Sequence, residues 1–98
     1  MIENFTNKIA KEIWEDGWSK HLPVDCHHRS RVLLTIMHNT TKLDDLRIRG
    51  EPPFIRLHKL KGARKMRWSV TIKLPWCITF EYKDGRFSDV KIENYHKG

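Results

Sequence analysis

Residues 56–62 read Arg-Leu-His-Lys-Leu-Lys-Gly and place one imidazole among several cations. We expect the two leucines to anchor this stretch, so that His58, Lys59 and Lys61 project away from the core. Lysine cations can hold a phosphodiester and stabilise charge that develops on it, while an imidazole exchanges protons near neutral pH. From spacing alone, an exposed basic loop without catalytic function remains the simpler interpretation.

Near the end of the chain, Tyr95 and His96 follow a predicted strand and add two more proton-transfer groups. Taken alone, they are better interpreted as part of a disordered polar tail. Together with residues 56–62 they supply a base for an RNA 2′-hydroxyl, an acid for the leaving 5′-oxygen and cations for the phosphate. The sequence therefore predicts metal-free RNA cleavage, provided that the fold brings the two segments together.

The charge distribution also favours a polyanionic partner. The 98 residues carry 19 Lys and Arg against 12 Asp and Glu, a formal net charge of +7, and residues 52–80 contain no carboxylate. Ordinary surfaces mix the two signs, although a solvated face is the usual reading of a charge run. The residues predicted to hold RNA or phosphate are Arg56, Lys59, Arg64, Lys65, Arg67, Lys73 and Asn94.

Other chemistries find less support in the sequence. The two cysteines form no Cys-x-x-Cys pair, which excludes a disulfide scaffold and a four-cysteine zinc site and fits a reducing cytosol. Residues 25–28, Asp-Cys-His-His, are interpreted as surface polar groups with one buried thiol, because no second ligand pair follows at a suitable spacing. No metal and no cofactor are expected. Trp68 and Trp76 could stack on bases, but their alternation with polar neighbours favours core packing.

The first half of the chain is predicted to be helical after a short strand over residues 1–5. A first helix carries Ile9 and Ile13 and ends at Gly17, with Thr6 as a candidate cap. A second helix is predicted over residues 23–38 and a loop over 39–53, with at most one helical turn at 43–46. The core-facing residues predicted for the second helix are Val32, Leu33, Ile36 and Met37.

The second half is predicted to be an antiparallel β-meander, because β-branched and aromatic residues alternate with polar ones. Pro75 and the pair Asp84 and Gly85 mark the turns. The predicted strands cover residues 67–74, 76–83 and 87–95. The order predicts an α+β domain with helices packed on a sheet.

No apolar run could span a bilayer and the N-terminus does not read as a signal peptide, so a cytoplasmic location and no membrane partner are expected.

Five motifs stand in register along the chain: residues 56–62, Arg-Trp-Ser-Val at 67–70, Trp-x-Ile-Thr-Phe at 76–80, Asp-Gly at 84–85 and Asn-Tyr-His at 94–96. In this order and spacing the sequence resembles the HigB branch of the RelE/ParE toxin superfamily of bacterial type II toxin–antitoxin systems. The resemblance implies a single RelE-like domain over residues 1–98. It also implies an mRNA endonuclease that works on the ribosome without a metal, through the 2′-hydroxyl of its substrate.

The resemblance also implies roles and partners. His58 and His96 would transfer protons or orient the substrate, Tyr95 would stack on or orient the nucleotide, and Lys61 would hold phosphate. The partners implied are a HigA-like antitoxin with a helix-turn-helix domain, the ribosome with its mRNA, and operator DNA through the antitoxin complex.

Three positions depart from the family pattern. Cys77 and Thr71 stand where family members commonly carry arginine, and Asn94 replaces an aspartate. Because lysine replaces a bidentate arginine poorly, these changes predict weakened catalysis. The alternative function is a catalytically degenerate homologue that binds the antitoxin and acts as a DNA co-repressor. A gyrase-poisoning toxin of the same superfamily is a further alternative, against which the Tyr95–His96 ending argues.

Overall fold

The computed structural model describes residues 1–47, 57–60, 62 and 66–94. Within these residues the helical elements are α1 (Lys8–Asp16), α2 (His27–Asn39) and two 3₁₀ turns (Val24–Cys26 and Leu43–Leu46). The strands are β1 (His58–Lys59), β2 (Trp68–Lys73), β3 (Trp76–Lys83) and β4 (Arg86–Asn94). They form an antiparallel sheet in the order β1-β2-β3-β4. The predicted α+β architecture is confirmed, and no helix among the described residues is long and apolar enough to cross a membrane.

The N-terminal segment runs parallel to β4 along its free edge. Ile2 bridges Phe87 and Phe5 bridges Val90, each as an isolated contact. Backbone hydrogen bonds of 2.7–3.1 Å tie the segment to β4 at these two points. The strand predicted for residues 1–5 therefore consists of two separate bridges, which cover the edge of β4.

The cap of α1 joins this helix to the sheet. Asn7, not the predicted Thr6, is the N-cap, and its side-chain oxygen accepts the backbone N–H of Ala10 at 3.1 Å. The same amide group donates to the carbonyl of Ile92 at 2.8 Å and accepts its N–H at 3.3 Å. At the other end Gly17 adopts φ 72°, the left-handed conformation predicted for a C-cap. One asparagine thus fixes both the start of α1 and its position against β4.

Helix α2 packs on the sheet with a face slightly different from the predicted one. Leu33 and Met37 are fully buried and Ile36 is partly buried against the core, as expected. Val32, however, is 40% exposed, and Leu34 is fully buried instead. The prediction for Val32 was wrong because the inward face runs through positions i, i+1 and i+4 at 33, 34 and 37. The 3₁₀ turn predicted within the following loop is confirmed at Leu43–Leu46, whereas residues 48–53 of that loop lie outside the described residues.

The segment before α2 holds a buried histidine. Cys26 is buried, as predicted, and burial raises the pKa of its thiol. His27 was predicted to lie on the surface but is only 8% exposed, and its Nε2 lies 3.0 Å from the carbonyl of Ser19 and 2.9 Å from that of Leu22. Both carbonyls are acceptors, so Nε2 carries the hydrogen and donates. His27 therefore holds the loop between α1 and α2 in place through two hydrogen bonds.

Replacement of His27 by alanine is expected to lower the free energy of unfolding by about 1–3 kcal/mol, because two loop carbonyls lose their buried donor. Urea unfolding followed by tryptophan fluorescence measures the change. The matched control is His28→Ala, which truncates an exposed neighbour and should change stability by less than about 0.5 kcal/mol. Equal effects of the two substitutions would contradict the role given to His27.

One face of the sheet carries the core. Trp68 and Trp76 pack partly buried against this core, which confirms the preference for core packing. Asp84 and Gly85 form the predicted hairpin turn with φ of 51° and 82°, and Pro75 lies in the preceding turn. The buried residues of this face are Val70, Ile72, Ile78, Phe80, Phe87, Val90 and Ile92.

Candidate functional site

The opposite side of the sheet is polar. We call it the polar face, and define it by Ser69, Thr71, Cys77, Thr79 and Glu93. Ser69 lies opposite Thr79, and Thr71 lies opposite Cys77, which in turn lies opposite Glu93. Side chains of directly opposed residues point to the same side of a sheet. All but Glu93 are at most 4% exposed, an unusual degree of burial for a polar surface.

His58 joins the polar face from the edge strand β1. It lies opposite Ser69 and is exposed. Leu57 and Leu60, which flank β1, are 3% and 4% exposed, so the prediction that the leucines anchor this stretch is confirmed. The two-residue strand itself was not predicted. Its pairing with β2 fixes the position of the imidazole relative to the sheet.

Asn94 stands at the far edge of the same sheet. It is the last residue of β4, is exposed, and lies opposite Trp76. Because β1 and β4 are the two outer strands, they lie three strand spacings apart, about 14 Å. His58 is in register with Ser69, whereas Asn94 is in register with Lys73 through Trp76, and this offset along the strands brings the separation to about 19 Å. The two residues therefore mark opposite edges of the sheet, not a single cluster.

Two predicted phosphate ligands already have partners within the chain. The ammonium of Lys59 lies 5.8 Å from the ring centroid of Trp68, within cation–π range. Lys73 forms an ion pair with Asp25, and its hydrogen bond is the main reason that the pKa of this carboxyl is lowered. Both members of that pair are more than half exposed, so the pair is weak and a phosphate can compete for the lysine.

The remaining predicted site residues are outside the described part of the chain, and their roles stay predictions. These residues are Arg56, Lys61, Arg64, Lys65, Tyr95 and His96.

Arg67 is held inside the protein. It is only 9% exposed. Its Nη1 donates to the carboxylate of Asp89 at 2.5 Å. Its Nη2 donates to the carbonyl of Asp89 at 2.8 Å and to the hydroxyl of Thr79 at 2.9 Å. The buried Nε has no acceptor among the described residues. A phosphate contact at Arg67 stays a prediction, and it would require competition with these three hydrogen bonds.

Asp89 sits at a β-bulge that sequence reasoning missed. Between the pairs Thr79–Lys91 and Glu81–Ser88, β4 contains one residue more than β3, and Asp89 adopts φ 50°. Burial acts to raise the pKa of its carboxyl, but the hydrogen bond from Thr6 and the charge of Arg67 outweigh burial and lower the pKa below its ordinary value of 3.8. The bulge thus places the ionised carboxylate of Asp89 next to the guanidinium of Arg67.

We expect Asp89 to contribute to stability in a pH-dependent way. A lowered pKa means that its contribution is present above the ordinary value of 3.8 and is lost as the pH falls through the folded-state value. Asp89→Asn should therefore be less stable than the wild type at pH 7, with the difference closing as the pH falls below 3.8. Urea unfolding at pH 7, 5, 4 and 3 measures this, with exposed Asp16→Asn as the control of equal charge change. A stability difference between Asp89→Asn and the wild type that stays constant with pH would contradict a lowered pKa of Asp89.

The two positions where the family commonly carries arginine are neighbours in the structure. Thr71 and Cys77 lie directly opposite each other on β2 and β3, and they are 3% and 4% exposed. The thiol of Cys77 lies 3.7 Å from the carbonyl of Glu93. Two small side chains thus occupy adjacent positions on the polar face. The positive charges that arginines would supply there are both missing from the same part of the sheet.

A search for ligands of a metal ion gives no site in the described ranges, since no three His, Cys, Asp or Glu side chains come together there. The site that the described residues outline is instead a polar sheet face with the exposed imidazole of His58 at one edge. The exposed amide of Asn94 lies at the other edge of the sheet, opposite Trp76 and therefore on the side that carries the core. The chemistry of this site is that of proton transfer and hydrogen bonding.

Comparison with known proteins identifies the family of the chain. Residues 3–96 match the model of the HigB-like toxin family, described as RelE-like toxins of the type II toxin–antitoxin system HigB. The chain is also similar to "Endoribonuclease HigB" of Proteus vulgaris, with 30% identity over 96 residues, which cover 98% of this chain and 100% of that protein. The resemblance inferred from the motifs is confirmed. The chain belongs to the HigB-like toxins of type II toxin–antitoxin systems, and this membership implies an antitoxin partner.

Proposed function

We propose that this toxin is an endoribonuclease that cleaves mRNA on the ribosome and so inhibits translation in the bacterial cytoplasm. The observation that carries the proposal is the similarity over almost the whole chain to a protein named as an endoribonuclease. The exposed imidazole of His58 beside the polar face supports it, because it offers a proton-transfer group to a bound strand.

The proposed reaction uses the substrate's own hydroxyl. A base removes the proton from a 2′-hydroxyl, the oxygen attacks the neighbouring phosphorus, and the 5′-oxygen leaves with a proton from an acid. The products are a 2′,3′-cyclic phosphate and a 5′-hydroxyl. His58 and His96 share the two proton transfers, Lys61 stabilises charge on the phosphate, and Tyr95 orients the nucleotide. No metal and no cofactor take part.

The RNA is proposed to cross the sheet from β1 to the end of β4. A strand on this path meets His58 at one edge of the polar face and reaches the end of β4, at Asn94, about 19 Å away, a span of a few nucleotides. Lys59 and Lys73 lie exposed for phosphate contacts. The remaining contacts are proposed for Arg56, Arg64, Lys65 and Arg67.

The proposed partners follow from the same function. The antitoxin is a HigA-like protein with a helix-turn-helix domain, and the complex of toxin and antitoxin binds operator DNA. The net charge of +7 favours non-specific contacts of the free toxin with nucleic acid, so binding has to be measured at controlled salt.

Tightly induced expression of this chain alone, followed by mapping of mRNA 5′ ends, tests the proposal. Growth arrest with cuts phased to the reading frame is the expected result. Intact messages and normal growth, in cells that contain folded toxin, would overturn it.

A second function rests on one specific observation, the adjacent small side chains of Thr71 and Cys77 where arginine is common. In this reading the chain is a degenerate toxin that serves as antitoxin partner and co-repressor. It predicts an antitoxin complex that binds operator DNA, with no growth arrest and no cuts when the chain is expressed alone.

A further inference from the structure

A line of side-chain hydrogen bonds crosses the polar face to the end of β4. The guanidinium of Arg67 donates to the hydroxyl of Thr79 at 2.9 Å, and this hydroxyl donates in turn to the carboxylate of Glu93. A hydroxyl has one hydrogen, so the Arg67 bond leaves that hydrogen available for Glu93 and fixes its direction. The chain of bonds therefore has a single orientation, from cation to carboxylate.

The two ends of this line differ in burial. Thr79 is fully buried on the inner strand β3, and Arg67 is clamped by Asp89. Glu93 is the last residue but one of β4, which ends at Asn94. The line thus connects a buried and multiply hydrogen-bonded part of the sheet to Glu93, which precedes Asn94, Tyr95 and His96 in the sequence.

The position of Glu93 matters because the proposed proton-transfer groups follow it at once. Tyr95 and His96 are two and three residues further along the chain. A catalytic group displaced by 1 Å can cost on the order of 100-fold in rate, so the end of a strand that leads into catalytic residues has to be held in a fixed position. Beyond Ile92, where the side chain of Asn7 makes the last described contact on the outer side of β4, the described backbone pairing of the strand is with β3 alone.

We propose that Thr79 and Glu93, anchored by Arg67, are positioning residues that fix the C-terminal end of β4, the strand that leads into the proposed catalytic residues Tyr95 and His96. This inference rests on the proposed ribonuclease function for its catalytic consequence. Its structural part, the fixation of the end of β4 by a side-chain network, holds independently of activity.

The first test measures local order without any substrate. Thr79→Val replaces the hydroxyl by a methyl group of similar size, and Thr79→Ser restores the hydroxyl. We expect the amide of Asn94 to exchange with solvent about tenfold faster in Thr79→Val than in the wild type, and at nearly the wild-type rate in Thr79→Ser. Ser30→Ala is the matched control, because it removes another fully buried hydroxyl, which donates to the Cys26 carbonyl at the start of α2, away from β4.

The second test measures cleavage on programmed ribosomes, at a temperature where every variant is folded. Thr79→Val should lower kcat on the order of 100-fold with KM nearly unchanged, and Glu93→Ala should do the same. The double variant should be no worse than either single one, because both break one line of bonds. Ser30→Ala should keep the wild-type kcat, and Thr79→Ser should recover most of it.

The outcomes separate the two proposals. If the wild type does not cleave, the ribonuclease function fails, and the exchange measurement alone decides whether the network fixes the end of β4. Unchanged exchange at Asn94 in Thr79→Val would overturn the positioning role. A wild-type kcat in Thr79→Val, or an equal loss in Ser30→Ala, would overturn its catalytic consequence.

Discussion

Alanine at His96 is expected to reduce the rate of mRNA cleavage on the ribosome by about 10²–10⁴-fold, the usual contribution of general acid–base catalysis. The imidazole is proposed to exchange a proton with the reacting oxygens, and a methyl group cannot do so. KM for programmed ribosomes should change little, because His96 is proposed to act on the reacting atoms. Single-turnover cleavage of one defined message measures both quantities.

The control for this prediction is His28→Ala, which removes an exposed imidazole from α2, outside the polar face. It should cleave at the wild-type rate. A His96→Ala protein that is folded and cleaves within a factor of about three of the wild type would remove His96 from the proton-transfer step, since this factor is far below the expected contribution.

Alanine at Phe80 is expected to lower the free energy of unfolding by about 3–5 kcal/mol. Phe80 is fully buried at the centre of β3, with its ring edge-on to Phe87 at a centroid distance of 5.4 Å. Truncation leaves a cavity between strands that the sheet cannot close. Because small domains have a total stability of about 5–15 kcal/mol, a large part of it should be lost.

Urea unfolding measures the effect, with Val24→Ala as the control. Val24 is 77% exposed, and its truncation should change stability by less than about 0.5 kcal/mol. A loss below about 1 kcal/mol for Phe80→Ala would mean that the core does not depend on this ring as its burial indicates.

The strands of the meander could be predicted because each is long enough to show its period. The predicted strand over residues 76–83 matches β3 in both of its ends, and the hairpin at Asp84 and Gly85 follows from residues that tolerate positive φ. β1 has two residues, too few for any alternation to be visible. Its place in the sheet follows from pairing with β2, which is a long-range contact.

The clamp around Arg67 was missed for a different reason. Arg67 and Asp89 are 22 residues apart and meet only because a bulge turns Asp89 towards the guanidinium. A signal for the bulge was present, since Phe87 and Val90 share the core face at a spacing of three, where a regular strand requires two. The sequence alone does not indicate that Asp89 is the partner of the buried Arg67 guanidinium.

The candidate site was predicted in part. The anchoring of residues 56–62 by Leu57 and Leu60 follows from the apolar residues themselves. The neighbourhood of Thr71 and Cys77 follows from the register of the hairpin through Pro75 and required the structure. The bond from Thr79 to Glu93 joins two residues of ordinary strand composition, and no motif in the sequence indicates it.

Cleavage of two messages that differ only at one 2′ position tests the central claim most directly. Ribosomes are programmed with an all-ribose mRNA or with the same mRNA carrying a 2′-deoxynucleotide at the mapped cleavage site, and purified toxin is added. The account predicts that the all-ribose message is cut to a fragment ending in a 2′,3′-cyclic phosphate, while the deoxy-substituted message stays intact at that site. Equal cleavage of both messages, or an intact all-ribose message in the presence of folded toxin, would contradict it.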